Sequence, residues 1–271
     1  MAAYQVENQW GGINAPWNTG STWILGTREE QYLVGINIES KDNGETFTGT
    51  VTYNGEGPID FLAKHKNANK YVAKVRWGGE GAPWHDEGIW VIGGRNVQRA
   101  VALKVKASED GKTLLGTITY EGEGPIEFRG SFIPSYEVMN KWTHCTSDWH
   151  KVGTWVLSGR LNQNVVAMKI KATDRCANVL EGTMVYENEG PIGFKAVRIV
   201  GNTYEVYNQW GGEKAPWHRG GDMIIGASDE YRVTSLKFTS DDKGGHLYGE
   251  VTYTGLKEKF AFKAKLIKQI K

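Results

Sequence analysis

Three stretches of the chain carry a tryptophan followed by two glycines: Trp10-Gly11-Gly12, Trp77-Gly78-Gly79 and Trp210-Gly211-Gly212. Such a tripeptide sets a flat aromatic face beside backbone that no side chain screens, so main-chain amides can approach whatever lies on the ring. A weaker copy reads Trp142-Thr143-His144. Eighteen residues after three of these leading tryptophans stand Arg28, Arg95 and Arg160, each a rigid fork of donors. Gly-rich loops further on carry Glu56-Gly57, Glu123-Gly124 and Glu189-Gly190, whose carboxylates are charged acceptors. Ring, donor fork and charged acceptor together suit noncovalent recognition of a molecule with one apolar face and a rim of hydroxyls, such as a pyranose. Hydrolysis is the rival chemistry, and it needs two carboxyl groups flanking one bond. Each copy offers one Glu, and an adjacent Arg moves its pKa the wrong way for a general acid. Asp60 and Glu127, just after two of the Glu loops, keep a glycoside hydrolase as the alternative. A third reading is a protein-interaction repeat whose tryptophans only pack.

The spacing of these residues exposes a fourfold repeat. Seven residues after each leading Trp comes another (Trp17, Trp84, Trp149, Trp217), and six further on stand Trp23, Trp90, Trp155 and Met223. Six residues before each leading Trp is a tyrosine: Tyr4, Tyr71, Tyr136, Tyr204. The units run 1–68, 69–134, 135–201 and 202–271. Each reads as five strands. In the first, Tyr4 to Gln9 is a strand, 11–20 a loop, and 23–27, 32–39, 46–53 and 59–63 are strands, with Lys41-Asp42-Asn43-Gly44 a hairpin signal. Val34, Ile36 and Ile38 form the expected inward face, repeated as Val101/Leu103/Val105, Val166/Met168/Ile170 and Thr234/Leu236/Phe238. The second- and third-slot tryptophans are expected to be core.

Five half-buried strands leave two open edges, so the units are expected to pair. The fold expected is all-β: two tandem ten-stranded antiparallel β-barrels, residues 1–134 and 135–271, each from two repeats of about 67 residues. Composition narrows the function. Formal charge is +1 (32 Lys and Arg against 31 Asp and Glu), which argues against a phosphate-backbone binder. No apolar run nears the ~18 residues of a membrane span, and the first ten residues do not read as a leader, so a cytoplasmic, non-inserted protein is expected. Cys145 and Cys176 are expected to be free thiols. No metal-ligand spacing, phosphate loop or nucleophile elbow stands out, so neither metal nor cofactor is expected. The six lysines after residue 256 alternate partly with Phe260, Phe262, Ala264 and Leu266, a last amphipathic strand with a solvated face.

Tyr-x-Val-Glu-Asn-Gln-Trp-Gly-Gly-x-x-Ala-Pro-Trp (Tyr4 to Trp17) and Tyr-x-Gly-Glu-Gly-Pro-Ile (Tyr53 to Ile59) closely resemble the agglutinin family typified by the Oscillatoria agardhii agglutinin. The resemblance covers essentially the whole chain. It implies a non-catalytic lectin for branched high-mannose oligosaccharides and glycoproteins, with two repeats per barrel and sites assembled across the repeats. The damaged copies point the same way. Unit 3 lacks Gly-Gly but keeps Arg160 and Glu189-Gly190; unit 4 keeps Trp210-Gly211-Gly212 but has Ser228 and Leu256-Lys257 in the other slots. Cross-unit pairing gathers all the losses into one place. Three competent sites are therefore expected in a monomeric chain: Trp10, Gly11, Gly12 with Arg95, Glu123, Gly124; Trp77, Gly78, Gly79 with Arg28, Glu56, Gly57; and Trp210, Gly211, Gly212 with Arg160, Glu189, Gly190. Asp60 and Glu127 stand where unit 3 keeps Gly193 and are expected to face solvent.

Overall fold

A computed structural model describes residues 2–11, 14–26, 28, 31–95, 98–142, 147–158, 160, 163–227 and 230–267. Gly12, Thr143, His144, Cys145 and Ser228 lie outside the described residues. Every described element is a strand, and the chain divides into two compact units, one within 1–132 and one within 133–267.

The first unit holds β1 (Ala2–Gln9), β2 (Trp17–Leu25), β3 (Leu33–Ser40), β4 (Thr46–Tyr53), β5 (Ile59–Asn67), β6 (Lys70–Arg76), β7 (His85–Val91), β8 (Ala100–Ala107), β9 (Thr113–Tyr120) and β10 (Pro125–Ile133). They form a closed antiparallel barrel in the order β1-β10-β9-β8-β3-β4-β5-β6-β7-β2. Each repeat contributes a hairpin (β1–β2 or β6–β7) and a three-stranded meander (β3–β5 or β8–β10), and each hairpin completes the meander of the other repeat. Core rings follow the exchange: Trp23 packs on Phe128 at 4.7 Å and Trp90 on Phe61 at 4.6 Å, each contact joining one repeat to the other. Tilted aromatic pairs of this kind add about 0.5–1.5 kcal/mol each beyond the area they bury.

The second unit holds β11 (Tyr136–Lys141), β12 (His150–Trp155), β13 (Val165–Ala172), β14 (Val179–Tyr186), β15 (Ile192–Val200), β16 (Thr203–Gln209), β17 (Trp217–Ile224), β18 (Val233–Thr239), β19 (His246–Tyr253) and β20 (Phe260–Leu266). Its order is β12-β11-β20-β19-β18-β13-β14-β15-β16-β17, the same exchange in a curled ten-stranded sheet rather than the closed barrel expected. The difference is local. β12 stops at Trp155, so among the described residues the end strands meet through one isolated bridge, Val156 with Ile224, whose amides and carbonyls bond reciprocally at 2.9 and 2.8 Å.

One glycine per repeat lets each sheet curl. A Cβ on Gly49, Gly116, Gly182 or Gly249 would stand only 2.1, 1.9, 2.0 or 1.9 Å from the carbonyl oxygen of Asn37, Lys104, Lys169 or Lys237 on the adjacent strand. No other residue fits that approach.

Several expectations are corrected. The stretch 11–20 is not all loop, because β2 begins at Trp17 and pairs back on β1 (Gln9 with Trp17) through a bulge. The inward faces are offset at their first member. A bulge between Leu33 and Gly35 buries Leu33 and leaves Val34 half-buried, and the matching strands bury Ala100, Val165 and Val233 instead of Val101, Val166 and Thr234. Of the other tryptophans, Trp23, Trp90 and Trp155 are core, at 1, 0 and 1% exposure. Trp84 and Trp217, however, are exposed, and Trp17 and Trp149 half-buried, because they stand at the loop end of their hairpins. A cation covers three of these rings: Arg129 over Trp17, Arg76 over Trp84, and Lys263 over Trp149. β20 is amphipathic as expected, with Phe260, Phe262 and Ala264 buried, and Cys176 is an exposed free thiol.

Candidate functional site

The Trp-Gly-Gly loops leave the first strand of each hairpin. Gly11, Gly78 and Gly211 have φ of +96°, +99° and +88°, a left-handed conformation that glycine enters without steric cost. A Cβ on Gly79 or Gly212 would meet nothing within 4 Å, so the backbone beside the ring faces open space. Trp10, Trp77 and Trp210 are 41, 48 and 38% exposed, far from the buried state of the third-slot rings. Gln9 and Gln209 brace their loops, each donating through Nε2 to a loop carbonyl (Ala15 and Ala215) at 2.6 Å.

The Glu loops are tight turns. The amides of Glu56, Glu123 and Glu189 donate to the carbonyls of Tyr53, Tyr120 and Tyr186 at 3.1, 3.0 and 3.0 Å. The residue before each Glu takes positive φ: Gly55, Gly122, and Asn188 at +63°, a residue that tolerates this conformation. Each carboxylate faces the arginine of its own repeat. Arg28 Nη1 donates to Glu56 Oε2 at 2.6 Å and Arg160 Nη1 to Glu189 Oε1 at 2.6 Å, while Arg95 Nη1 donates to Glu123.

A glutamine three residues after each Arg closes the network, a partner that sequence reasoning missed. Gln31, Gln98 and Gln163 accept from the arginine and donate to the glutamate at 3.2, 3.1 and 3.0 Å. The signal was present as Arg-x-x-Gln in three repeats, with Tyr231 in the fourth. Beneath each guanidinium lies the tyrosine that opens the Glu turn, at 4.2 Å (Tyr53), 4.3 Å (Tyr120) and 3.8 Å (Tyr186).

The strand order brings each Arg–Gln–Glu network to a tryptophan of the other repeat. Arg95 lies 6.0 Å from the Trp10 ring, Arg28 5.2 Å from Trp77, and Arg160 5.2 Å from Trp210. In the second unit the two halves border a cleft of about 850 Å³ lined by Trp210, Gly211, Gly212, Glu189, Gly190 and Trp217, among others. His85 stacks on Trp77 at 4.3 Å, which fixes that ring. Asp60 does not simply face solvent: it accepts from Arg76 Nε and Nη2 at 2.9 and 2.6 Å, while Glu127 is exposed.

The fourth position is built differently. Trp142 is half-buried and stacks on Tyr253 at 5.4 Å and against Phe260 at 5.1 Å. Ser228 stands in the arginine slot, and it is the Trp142 indole that lies on Tyr253. Val152 and Leu256 are partly buried against the same core. The turn survives, since the Leu256 amide donates to the Tyr253 carbonyl at 3.2 Å.

Electrostatics set what the three networks can do. Glu56 and Glu123 are held below the usual carboxylate range first by hydrogen bonds from Arg28 and Arg95, and Glu189 first by one from Gln163. Burial opposes the charge of Arg28, but bonds and attraction from Glu56 and Glu87 outweigh it and raise its pKa. The carboxylates are therefore fixed as charged acceptors and cannot donate a proton near neutral pH.

The sugar-binding domain of OAA-family lectins matches four times, at residues 2–66, 69–133, 134–199 and 202–258. The myxobacterial hemagglutinin of Myxococcus xanthus is 46% identical over 257 residues, 94% of this chain and 96% of the relative. The crystal structure of the Burkholderia oklahomensis agglutinin aligns with a TM-score of 0.76 at 45% identity, covering 97% of this chain and 94% of that one. The Myxococcus xanthus hemagglutinin in complex with a3,a6-mannopentaose aligns with a TM-score of 0.75 at 45% identity, covering 97% and 99%.

Proposed function

Because the chain belongs to the OAA family of sugar-binding lectins, we propose that it binds branched high-mannose glycans without chemistry on them, at three sites each assembled across two repeats. The observation that carries the reading is the threefold constellation itself: an exposed indole and open glycine backbone from one repeat, facing an Arg–Gln–Glu network from the other. The indole takes the C–H face of a mannose, and the network supplies donors and charged acceptors already aligned for its hydroxyls. Prealigned groups lose less freedom on binding. The relative crystallised with a3,a6-mannopentaose supports a branched oligomannose as the ligand. The site residues are those expected from sequence, Gly12 among them, joined by Gln31, Gln98, Gln163 and the three tyrosines. We also take the second sheet to act as a barrel, with the Val156–Ile224 bridge as its seam.

The partners are glycoproteins that display several such glycans, and the working unit is one chain. Linked sites on one multivalent surface gain about 10²–10⁴ in avidity when the geometry allows them to bind together. Calorimetric titration with mannopentaose tests the reading. It should return three sites per chain, unchanged by EDTA, with no reducing sugar released from mannan. Four sites, or release of sugar, would overturn it.

A further inference from the structure

Each hairpin contains a bulge, and the residue on it lies at the hairpin's site. The register of β6 with β7 steps from Ala73–Gly88 to Lys74–Asp86, leaving Glu87 as the extra residue. The hairpins β1–β2, β11–β12 and β16–β17 shift at the matching place, where Gly20, Val152 and Gly220 stand. Bulges re-aim side chains, and here they do so next to a binding site. At the first and third sites the bulge residue is glycine, because the facing strand fills the space with asparagine. A Cβ on Gly20 would stand 2.7 Å from Asn8 Nδ2, and one on Gly220 2.4 Å from Asn208 Nδ2.

At the second site the pair is exchanged. Val75 takes the place of the asparagine and Glu87 that of the glycine. Glu87 is only 5% exposed; its Oε2 accepts from the Tyr53 hydroxyl at 2.8 Å and its Oε1 from Arg28 Nε at 3.4 Å. Arg28 is thus held at Nη1 by Glu56 and Gln31, at Nε by Glu87, and from below by the Tyr53 ring. Its side chain is 17% exposed, against 25% for Arg95 and 21% for Arg160.

We propose that Glu87 is a positioning residue that makes the second site the tightest of the three for the same oligomannose, an inference that rests on the glycan reading above. A guanidinium clamped at Nε has less freedom left to lose when a sugar binds. The buried carboxylate acts through Arg28 and does not itself reach the ligand.

The test is a titration of the full chain with mannopentaose, followed by the indole N–H signals of Trp10, Trp77 and Trp210, one reporter per site. In the parent, the Trp77 signal should saturate first. Glu87→Gln keeps the shape and removes the charge, and should weaken the second site about fivefold while leaving the other two unchanged. The double change Val75→Asn with Glu87→Gly installs the pair already packed at the first and third sites, and should bring the second site to the affinity of the first. It decides the matter even if Glu87→Gln does not fold. Equal affinities in the parent, a double variant that keeps the parent's affinity, or losses spread over all three sites would overturn the role of Glu87. Absence of any binding reported by Trp77 in the parent would instead overturn the glycan reading of that site.

Discussion

Cross-repeat assembly makes a sharp prediction about the third site, whose two halves stand 50 residues apart in sequence at Arg160 and Trp210. Trp210→Ala removes the stacking face. At 38% exposed, an indole of about 250 Å² has about 95 Å² left for a ligand to cover, worth about 2.4 kcal/mol at ~25 cal/mol/Å². That is a loss of about fiftyfold in affinity, enough to drop the site out of a calorimetric titration. Arg160→Gln removes the charge-assisted donor to Glu189 and to the sugar, at a cost of about 1.5–3 kcal/mol. Each variant alone should lower the count from three sites to two. The double variant should also show two, because both residues serve one site. The ring is exposed, so Trp210→Ala should leave thermal unfolding nearly unchanged. The assay is calorimetry with mannopentaose, checked by the surviving indole signals. A double variant with one site would refute the reasoning, since it would place Arg160 and Trp210 in separate sites.

Trp142→Ala should leave three sites and instead destabilise the second unit by about 2 kcal/mol, as its half-buried ring packs on Tyr253 and Phe260; denaturant unfolding measures this. Gly116→Ala should cost about 3 kcal/mol or more, because its Cβ would meet the Lys104 carbonyl, and an unfolding free energy within about 1 kcal/mol of the parent would contradict the close approach. Glycan affinity should be flat from pH 8 to 5 and fall only below the ordinary glutamate value of 4.5. The depressed carboxylates of Glu56, Glu123 and Glu189 stay ionised down to that range and lose their charge as pH drops further. A decline beginning near pH 6 would point to a histidine instead.

The parts of each site were legible because they recur. Trp-Gly-Gly, the Arg 18 residues on and the Glu turn repeat at one spacing, and their losses fall together at the fourth position. Gln31, Gln98 and Gln163 recur as regularly but are silent in the sequence, since a lone glutamine carries no distinctive chemistry until it is seen between an Arg and a Glu. Trp84 and Trp217, core by spacing, stand exposed because the bulged hairpin starts at or just after them and lifts them to the surface. Glu87 was invisible for a related reason: strand alternation predicts which face a residue takes only while the register is unbroken, and Glu87 stands on the break.

Four repeats, five strands in each, the turns between them and the residue types of the sites all follow from local pattern. Alternation, positive-φ glycines and fixed spacings are short-range properties of a chain, and the sequence by itself determines them. Which repeat completes which site was decided by the tertiary structure. One edge of each hairpin is satisfied by the meander of the other repeat, and that exchange carries Trp10 to Arg95, Trp77 to Arg28 and Trp210 to Arg160. The same packing sets the Trp142 indole on Tyr253 at the fourth position, where Ser228 stands in the arginine slot, and the two apolar faces are thereby removed from water together.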